Sequence, residues 1–145
     1  MRYFYIVVCL ALFSCNKNHL IDTNTFNNYI ELEFNIEIQD EKHCYILIPE
    51  YGCNGCMQVV LDEISKIITD DNKSNFTFIS SNEEAIPTSL NSVVKIYIDR
   101  NNTLDNLSYN IANVTVVLTE NREIVFTKNI NLDQAYNVES IINFK

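Results

Sequence analysis

The residues best suited to chemistry are two cysteines three positions apart, within residues 51–56, whose sequence is Tyr-Gly-Cys-Asn-Gly-Cys. Such a pair can close a disulfide, exchange it with another thiol, or give two thiolates to a metal. The motif follows an apolar run and opens a segment of helical periodicity, so it lies at a predicted strand-to-helix junction. There the helix dipole and unpaired N–H groups favour the thiolate of Cys53, the predicted attacking thiol. Cys56, one turn further, is the predicted resolving thiol.

The neighbours of the two cysteines shape the predicted site. Gly52 and Gly55 are the only glycines of the chain. Gly52 would let the backbone of a partner approach, and Gly55 would leave the turn without a side chain that could clash. Tyr51 either stacks on a partner or caps the core, and capping is the simpler interpretation. Glu50, if ionised near the site, would raise the pKa of the Cys53 thiol against the helix dipole.

Three roles stay open for the pair: a redox-active disulfide, a structural disulfide and a metal site. Zinc needs four ligands, and the further candidates are Cys44, His43 and His19. Cys44 would lie at least ~13 Å back along a strand, beyond the ~7 Å limit for a disulfide. We therefore interpret Cys44 as a buried apolar residue, His43 as a turn residue and His19 as a tether residue. Copper(I), which accepts two thiolates, stays possible, but we assign neither a metal nor a cofactor.

The N-terminus indicates export. Residues 1–14 have one basic residue and a short apolar run, typical of a signal peptide and too short to span a membrane. Residues 12–15, Leu-Phe-Ser-Cys, resemble the lipobox of bacterial lipoproteins, where cleavage leaves Cys15 as the lipid-bearing first residue. Residues 15–28 would then be a lipid anchor and flexible tether, and residues 29–145 one folded domain. The expected location is the bacterial cell envelope, on a membrane and facing the periplasm.

Charge excludes two classes of partner. The formal net charge is −9, and loss of Arg2 with the signal makes it −10. The chain has no cluster of Lys and Arg, which nucleic acid and anionic lipid surfaces require. Membrane attachment would therefore depend on the lipid carried by Cys15.

Periodicity predicts an α/β domain around the motif. The wholly apolar residues 44–48 indicate a strand buried on both faces, and the stripe from Met57 to Ile68 indicates the helix that follows it. Residues 30–38 alternate apolar and polar, which predicts an extra N-terminal strand with an acidic outer face. The remaining predicted elements are strands at 76–80, 93–98, 114–118 and 124–127, weak helical character at 104–109, and a terminal helix at 132–144. Strands 44–48 and 76–80, joined by a helix, should be parallel.

This order of elements resembles the thioredoxin-like fold. Residues 46–56 and the hairpin tip at 121–124 carry the resemblance. The chain is most similar to membrane-anchored, extracytoplasmic thiol-disulfide oxidoreductases, with residues 30–38 and roughly 82–110 as additions to the core. The resemblance implies a three-layer sandwich with a central mixed sheet and a C-terminal helix. It also implies disulfide exchange with extracytoplasmic proteins and a redox partner.

Three positions depart from that family. Gly52 stands where a Trp is usual, and Leu47 stands where some members have a buried acidic residue. Val114 stands where the family has a cis-proline, and a non-proline cis bond costs about 2.5–4 kcal/mol, so we expect a trans bond there. These departures favour two alternatives to an enzyme: a binding module with a structural disulfide, or a copper-binding lipoprotein.

Overall fold

A computed structural model of the chain describes residues 20–107, 111 and 113–142. The predicted signal peptide, Cys15 and His19 lie outside these residues. The helices are α1 Thr23–Phe34, α2 Asn54–Ile67, α3 Leu104–Leu107 and α4 Val138–Ile141. The strands are β1 His43–Ile48, β2 Phe76–Ser80, β3 Lys95–Ile98, β4 Thr115–Glu120 and β5 Glu123–Asn129. Short 3₁₀ helices lie at Lys73–Asn75, Glu83–Ala85, Thr88–Leu90 and Leu132–Asn137.

The described strands form one mixed sheet of five strands in the order β3-β2-β1-β4-β5. β1, β2 and β3 are parallel, and Ile46 of β1 pairs with Phe78 of β2. β4 runs antiparallel to β1, with Ile46 opposite Val116, and β5 completes the hairpin. The prediction of an α/β fold with a parallel crossover around α2 is confirmed.

β1 is the central strand, and all six of its residues are buried. Cys44, Ile46 and Ile48 contribute to the core on one face of the sheet. Tyr45 and Leu47 contribute to the core on the other face. Successive side chains of a strand point to opposite faces, so a strand covered on both sides is apolar throughout. The predicted burial of residues 44–48 on both faces is confirmed.

α2 covers one face of the sheet. Its apolar stripe of Met57, Val60, Leu61 and Ile64 is buried, as the helical spacing predicts. The C-terminal segment packs on the same side and begins as the 3₁₀ helix Leu132–Asn137 before it becomes α4. The described part of the predicted terminal helix is therefore helical, although its first half has the tighter 3₁₀ geometry.

The opposite face is covered by α1 and α3, so the sheet has helices on both sides. Phe26, Tyr29 and Ile30 of α1 are buried against Tyr45 and other residues of that face. Leu104 of α3 joins the same cluster. No helix among the described residues is long and apolar enough to cross a membrane.

The predicted N-terminal strand at residues 30–38 is wrong, because this region begins within a helix. Asp22 caps α1, its side chain accepting a hydrogen bond from the Thr25 N–H at 3.0 Å, and Asn35 ends it in the left-handed conformation. Leu32, which a strand would bury beside Ile30, is 85% exposed. The sheet therefore has no N-terminal strand among the described residues.

Residues 20–28, predicted to belong to the tether, pack onto the domain. The Leu20 N–H donates to Thr127 Oγ1 at 2.8 Å, and the Ile124 N–H donates to Thr23 Oγ1 at 3.1 Å. Both hydrogen bonds join this segment to β5, which is one of the two edge strands of the sheet. Phe26 is fully buried. The folded domain therefore includes residues before 29.

Candidate functional site

Cys53 and Cys56 form a disulfide at the start of α2. Their Cα atoms are 5.2 Å apart, within the usual range for disulfides. Cys53 is the N-cap residue: its Sγ accepts a hydrogen bond from the Cys56 N–H at 3.4 Å, and its carbonyl accepts from the Met57 N–H at 2.9 Å. Sulfur here occupies the position that an oxygen acceptor takes at most helix starts. In the reduced protein the same N–H groups would stabilise a Cys53 thiolate.

The two sulfur-bearing residues differ in accessibility. Cys53 is exposed, whereas Cys56 is half-buried within the first turn of α2. Met57, the next residue, is buried in the core. Cys53 is therefore the more accessible of the two residues to a partner thiol.

The sheet brings other loops to the edge where the cysteines lie. β1, β2 and β3 are parallel and end in register, with Ser80 opposite both Ile48 and Ile98. Val114 also lies at this edge, since it precedes Thr115, the partner of Leu47 in β1. Val114 is fully buried, and its carbonyl accepts from the Ile130 N–H at 2.8 Å. Among the described residues every peptide bond is trans, which confirms the expectation for Val114.

No protein-family model, curated protein or solved structure matches this chain. The resemblance to thioredoxin-like proteins stays a prediction that depends on the order of the elements and the position of the cysteines.

Two interpretations of the residues around the disulfide are wrong. Tyr51 does not cap the core, because its side chain is 75% exposed. Gly55 is not needed to avoid a clash, because a Cβ at that position would meet no atom within 4 Å. Gly52 is exposed, and no described glycine has a positive φ. The predicted role of Gly52, close approach by a partner's backbone, stays a prediction.

The loop between β1 and α2 is held by residues that no sequence motif indicates. Asn102 Nδ2 donates to Glu50 Oε2 at 2.7 Å, and the Glu50 N–H donates to Asp105 Oδ1 at 3.2 Å. The other carboxylate oxygen of Asp105 is buried without a hydrogen-bond partner. These contacts tether the residue three positions before Cys53 to the segment after β3. No local pattern could predict them, since over 50 residues separate the partners.

A buried carboxylate supports that segment. Asp99, fully buried, accepts hydrogen bonds from the Tyr29 hydroxyl at 3.1 Å and the Asn101 N–H at 3.2 Å. It also accepts from the Leu104 N–H at the start of α3. Burial, and secondly the nearby charge of Asp99, raises the pKa of Tyr29. Asp99 therefore links α1 to α3, the helix that contains Asp105.

The two metal-ligand candidates among the described residues, Cys44 and His43, lie in the first two positions of β1, apart from the disulfide at the start of α2. Cys44 is a free, buried thiol, as predicted, and burial raises its pKa. His43 is not a turn residue: it begins β1, is buried, and its Nε2 lies 2.9 Å from Thr77 Oγ1. Burial, and secondly the charge of Lys95, lowers the pKa of His43 to about 4. Within the described ranges no three His, Cys, Asp or Glu side chains are grouped as metal ligands.

Proposed function

We propose that this chain is a thiol-disulfide oxidoreductase of the thioredoxin-like type that acts through Cys53 and Cys56. The observation that carries the proposal is the disulfide that caps α2 through the exposed residue Cys53, directly after the buried central strand. A disulfide placed only to hold the fold has no need of an exposed cysteine at a helix N-terminus. That position instead lowers the pKa of a thiol and opens it to attack.

The proposed exchange conserves atoms and electrons. In the reducing direction, the Cys53 thiolate attacks a substrate disulfide, forms a mixed disulfide and releases one substrate thiolate, which takes up a proton. The Cys56 thiol loses its proton and attacks Cys53 Sγ, which releases the second substrate thiolate and closes Cys53–Cys56. The substrate gains two electrons and the protein loses two. A second dithiol protein must then return two electrons, and the oxidising direction is the same sequence reversed.

The sheet supports the thioredoxin-like part of the proposal. Its order places the cysteine-bearing connection after the central strand, between two parallel strands and an antiparallel hairpin. Helices cover both faces, with α2 and the C-terminal segment on one side. This arrangement agrees with the implied three-layer sandwich, with the N-terminal strand replaced by helix α1.

We further propose that the protein works outside the cytoplasm, anchored by lipid on Cys15, with extracytoplasmic protein thiols or disulfides as substrates. The support is the signal-like segment and the cysteine that follows it. A Cys15→Ala variant should lose its membrane association, and the mature protein should have the mass of a diacylated or triacylated chain that begins at Cys15. If the unaltered protein were recovered from the membrane fraction with its signal segment uncleaved or without lipid, this location would be contradicted.

Trapping of substrates tests the exchange chemistry. In a Cys56→Ser variant the mixed disulfide at Cys53 cannot be resolved, so partner proteins should accumulate as adducts that a reductant releases. Cys53→Ser, which leaves Cys56 as the remaining cysteine of the pair, is the matched control and should trap no partner proteins. If Cys56→Ser forms no adducts in cells while Cys53 remains reactive to alkylation, disulfide exchange is not the function.

A non-catalytic binding module is the second candidate, favoured by two positions. Val114 is a buried apolar residue at the family's proline position, and Leu47 is an apolar core residue where a proton acceptor could stand. Under this alternative the disulfide is structural. The reduction potential separates the candidates, since structural disulfides lie below about −300 mV and catalytic ones above it.

A further inference from the structure

A small depression lies beside the disulfide, between α2 and the loop after β2. Its volume is about 150 Å³. Its lining residues are Asn54, Met57, Gln58, Asn82, Glu84 and Ala85. Asn54 directly follows Cys53 in the chain, so the depression begins one residue from the exposed cysteine.

Size and lining restrict what the depression can hold. Pockets for small molecules and cofactors usually measure about 300–1,000 Å³, so this one suits a single side chain. Met57 and Ala85 provide apolar surface, and Asn54, Gln58 and Asn82 provide amide groups. Glu84, an exposed residue, is the only charged residue of the lining. Long basic side chains fit such a site, because their methylenes cover apolar surface while the charge stays at the rim.

The surrounding charge also favours a cation. Residues 49–65 and 81–94, the two segments that flank the depression, contain no Lys or Arg. Only Glu84 of their acidic residues lines the depression; the others are Glu50, Asp62, Glu63 and Glu83. Asn82 fixes the loop at the rim, since its Oδ1 accepts from the Glu84 N–H at 3.0 Å and its N–H donates to Ser80 Oγ at 3.1 Å. The carboxylate of Glu84 therefore sits on an anchored backbone.

We propose that this depression is a specificity subsite that receives a Lys or Arg side chain of the substrate protein, close in sequence to the cysteine that Cys53 attacks. The inference rests on the proposed disulfide exchange and adds its substrate class: cysteines with a basic neighbour. Glu84 would be a specificity-determining residue that pairs with the incoming cation.

Peptide exchange kinetics test the subsite. Single-cysteine peptides, blocked as mixed disulfides with 2-mercaptoethanol, would have Lys placed in turn at each position from three before to three after the cysteine. Norleucine and Glu at the same positions serve as uncharged and acidic comparisons. We expect reduced protein to react about fivefold faster with the best Lys peptide than with its norleucine counterpart, as one exposed ion pair allows. High salt should diminish the preference.

Two variants separate the subsite from general charge attraction. Glu84→Gln should abolish the preference for Lys, whereas Glu83→Gln, which removes the adjacent exposed carboxylate outside the lining, should retain it. Three results would each overturn the inference. The preference for Lys could be lost equally in both variants, or be absent from the unaltered protein. The protein could also react faster with the Glu peptide, attracted by the positive end of α2. The proposed exchange would survive all three results.

If no peptide undergoes disulfide exchange, a binding measurement tests the depression directly. The double variant Cys53→Ser, Cys56→Ser would be titrated with the best Lys peptide, its cysteine replaced by serine, while backbone amide shifts are followed by NMR. Shifts at Asn54, Gln58 and Glu84 that Glu84→Gln removes would show that the depression binds a basic side chain, whether or not exchange occurs. Absence of exchange together with absence of these shifts would overturn both proposals.

Discussion

At the scale of single residues, the three described cysteines have three different environments. Cys53 is exposed at the N-cap, Cys56 is half-buried in the first turn, and Cys44 is enclosed in the central strand. Burial raises the pKa of Cys44 and keeps it in the thiol form, which does not react as a nucleophile. The rate of alkylation should therefore decrease from Cys53 to Cys56 to Cys44.

Alkylation kinetics check that order. After reduction, iodoacetamide should modify Cys53 at least tenfold faster than Cys56, because only Cys53 combines exposure with the helix N-terminus. Cys44 should be modified only when urea unfolds the chain. Peptide mass spectrometry over a time course measures the three rates, and a Cys44→Ala variant serves as the control. Rapid labelling of Cys44 in the folded protein would contradict the described core.

His43 should make stability depend on pH. Its pKa is about 4 in the folded protein, below the usual 6.5 of the unfolded chain, so the unfolded state binds more protons between these values. The stabilisation is therefore fully present above pH 6.5 and is lost as the pH falls towards 4. The loss is on the order of 3 kcal/mol, since one pKa unit corresponds to about 1.4 kcal/mol.

Urea unfolding between pH 4 and 7 tests this linkage. A His43→Gln variant keeps a polar group near Thr77 but cannot titrate, so its stability should fall less over this range than that of the unaltered protein. An NMR titration of the His43 ring should give its pKa directly. Equal pH dependence of the two proteins, or a ring pKa near 6.5, would contradict a buried neutral histidine.

At the scale of elements, α1 shows that the same apolar residues can match the periodicity of a helix and that of a strand. Ile30 and Phe34 are four residues apart, so they share a helix face as well as one face of a strand. The distinguishing residue is Leu32, which lies between them and points to solvent in the helix. Phe26 and Tyr29 extend the buried helical stripe towards the cap at Asp22.

A pair of alanine substitutions distinguishes helix from strand. Ile30→Ala should lower the free energy of unfolding by about 2–5 kcal/mol, since it empties a fully buried site. Leu32→Ala should change it by less than about 0.5 kcal/mol, as expected for an exposed position. Urea denaturation followed by far-UV circular dichroism measures both. Similar losses at the two positions would instead indicate a strand with Ile30 and Leu32 on one buried face.

At the scale of the whole molecule, the N-terminal segment, residues 20–28, helps to cover one face of the sheet. Ile21 and Phe26 are buried in that core, and Leu20 and Thr23 bond to residues of β5. Truncation of one large buried side chain commonly costs 2–5 kcal/mol, whereas whole domains have only about 5–15 kcal/mol of stability.

Truncation should reveal this dependence. A chain that begins at residue 20 should unfold cooperatively, whereas one that begins at residue 29 should lose cooperative unfolding and bind the dye ANS. Thermal unfolding by near-UV circular dichroism is the measurement. An unchanged midpoint for the shorter chain would show that residues 20–28 are a tether after all.

The sequence by itself determined the central strand, α2, the β4–β5 hairpin and the position of the cysteine pair. These features depend on periodicity and turn chemistry within a few residues, which a single sequence displays directly. The described C-terminal segment is also helical, as its apolar spacing predicts.

Only the tertiary structure decided the features that depend on distant partners. Residues 30–34 form a helix because Ile30 and Phe34 pack into the core on one face of the sheet, whereas Leu32 points to solvent. Tyr51 stays outside the core, and Asn102 and Asp105 hold Glu50 beside the cysteine loop. The physical reason is that side-chain burial and hydrogen bonding across more than 50 residues arise when separate segments pack together, and no local pattern encodes that packing.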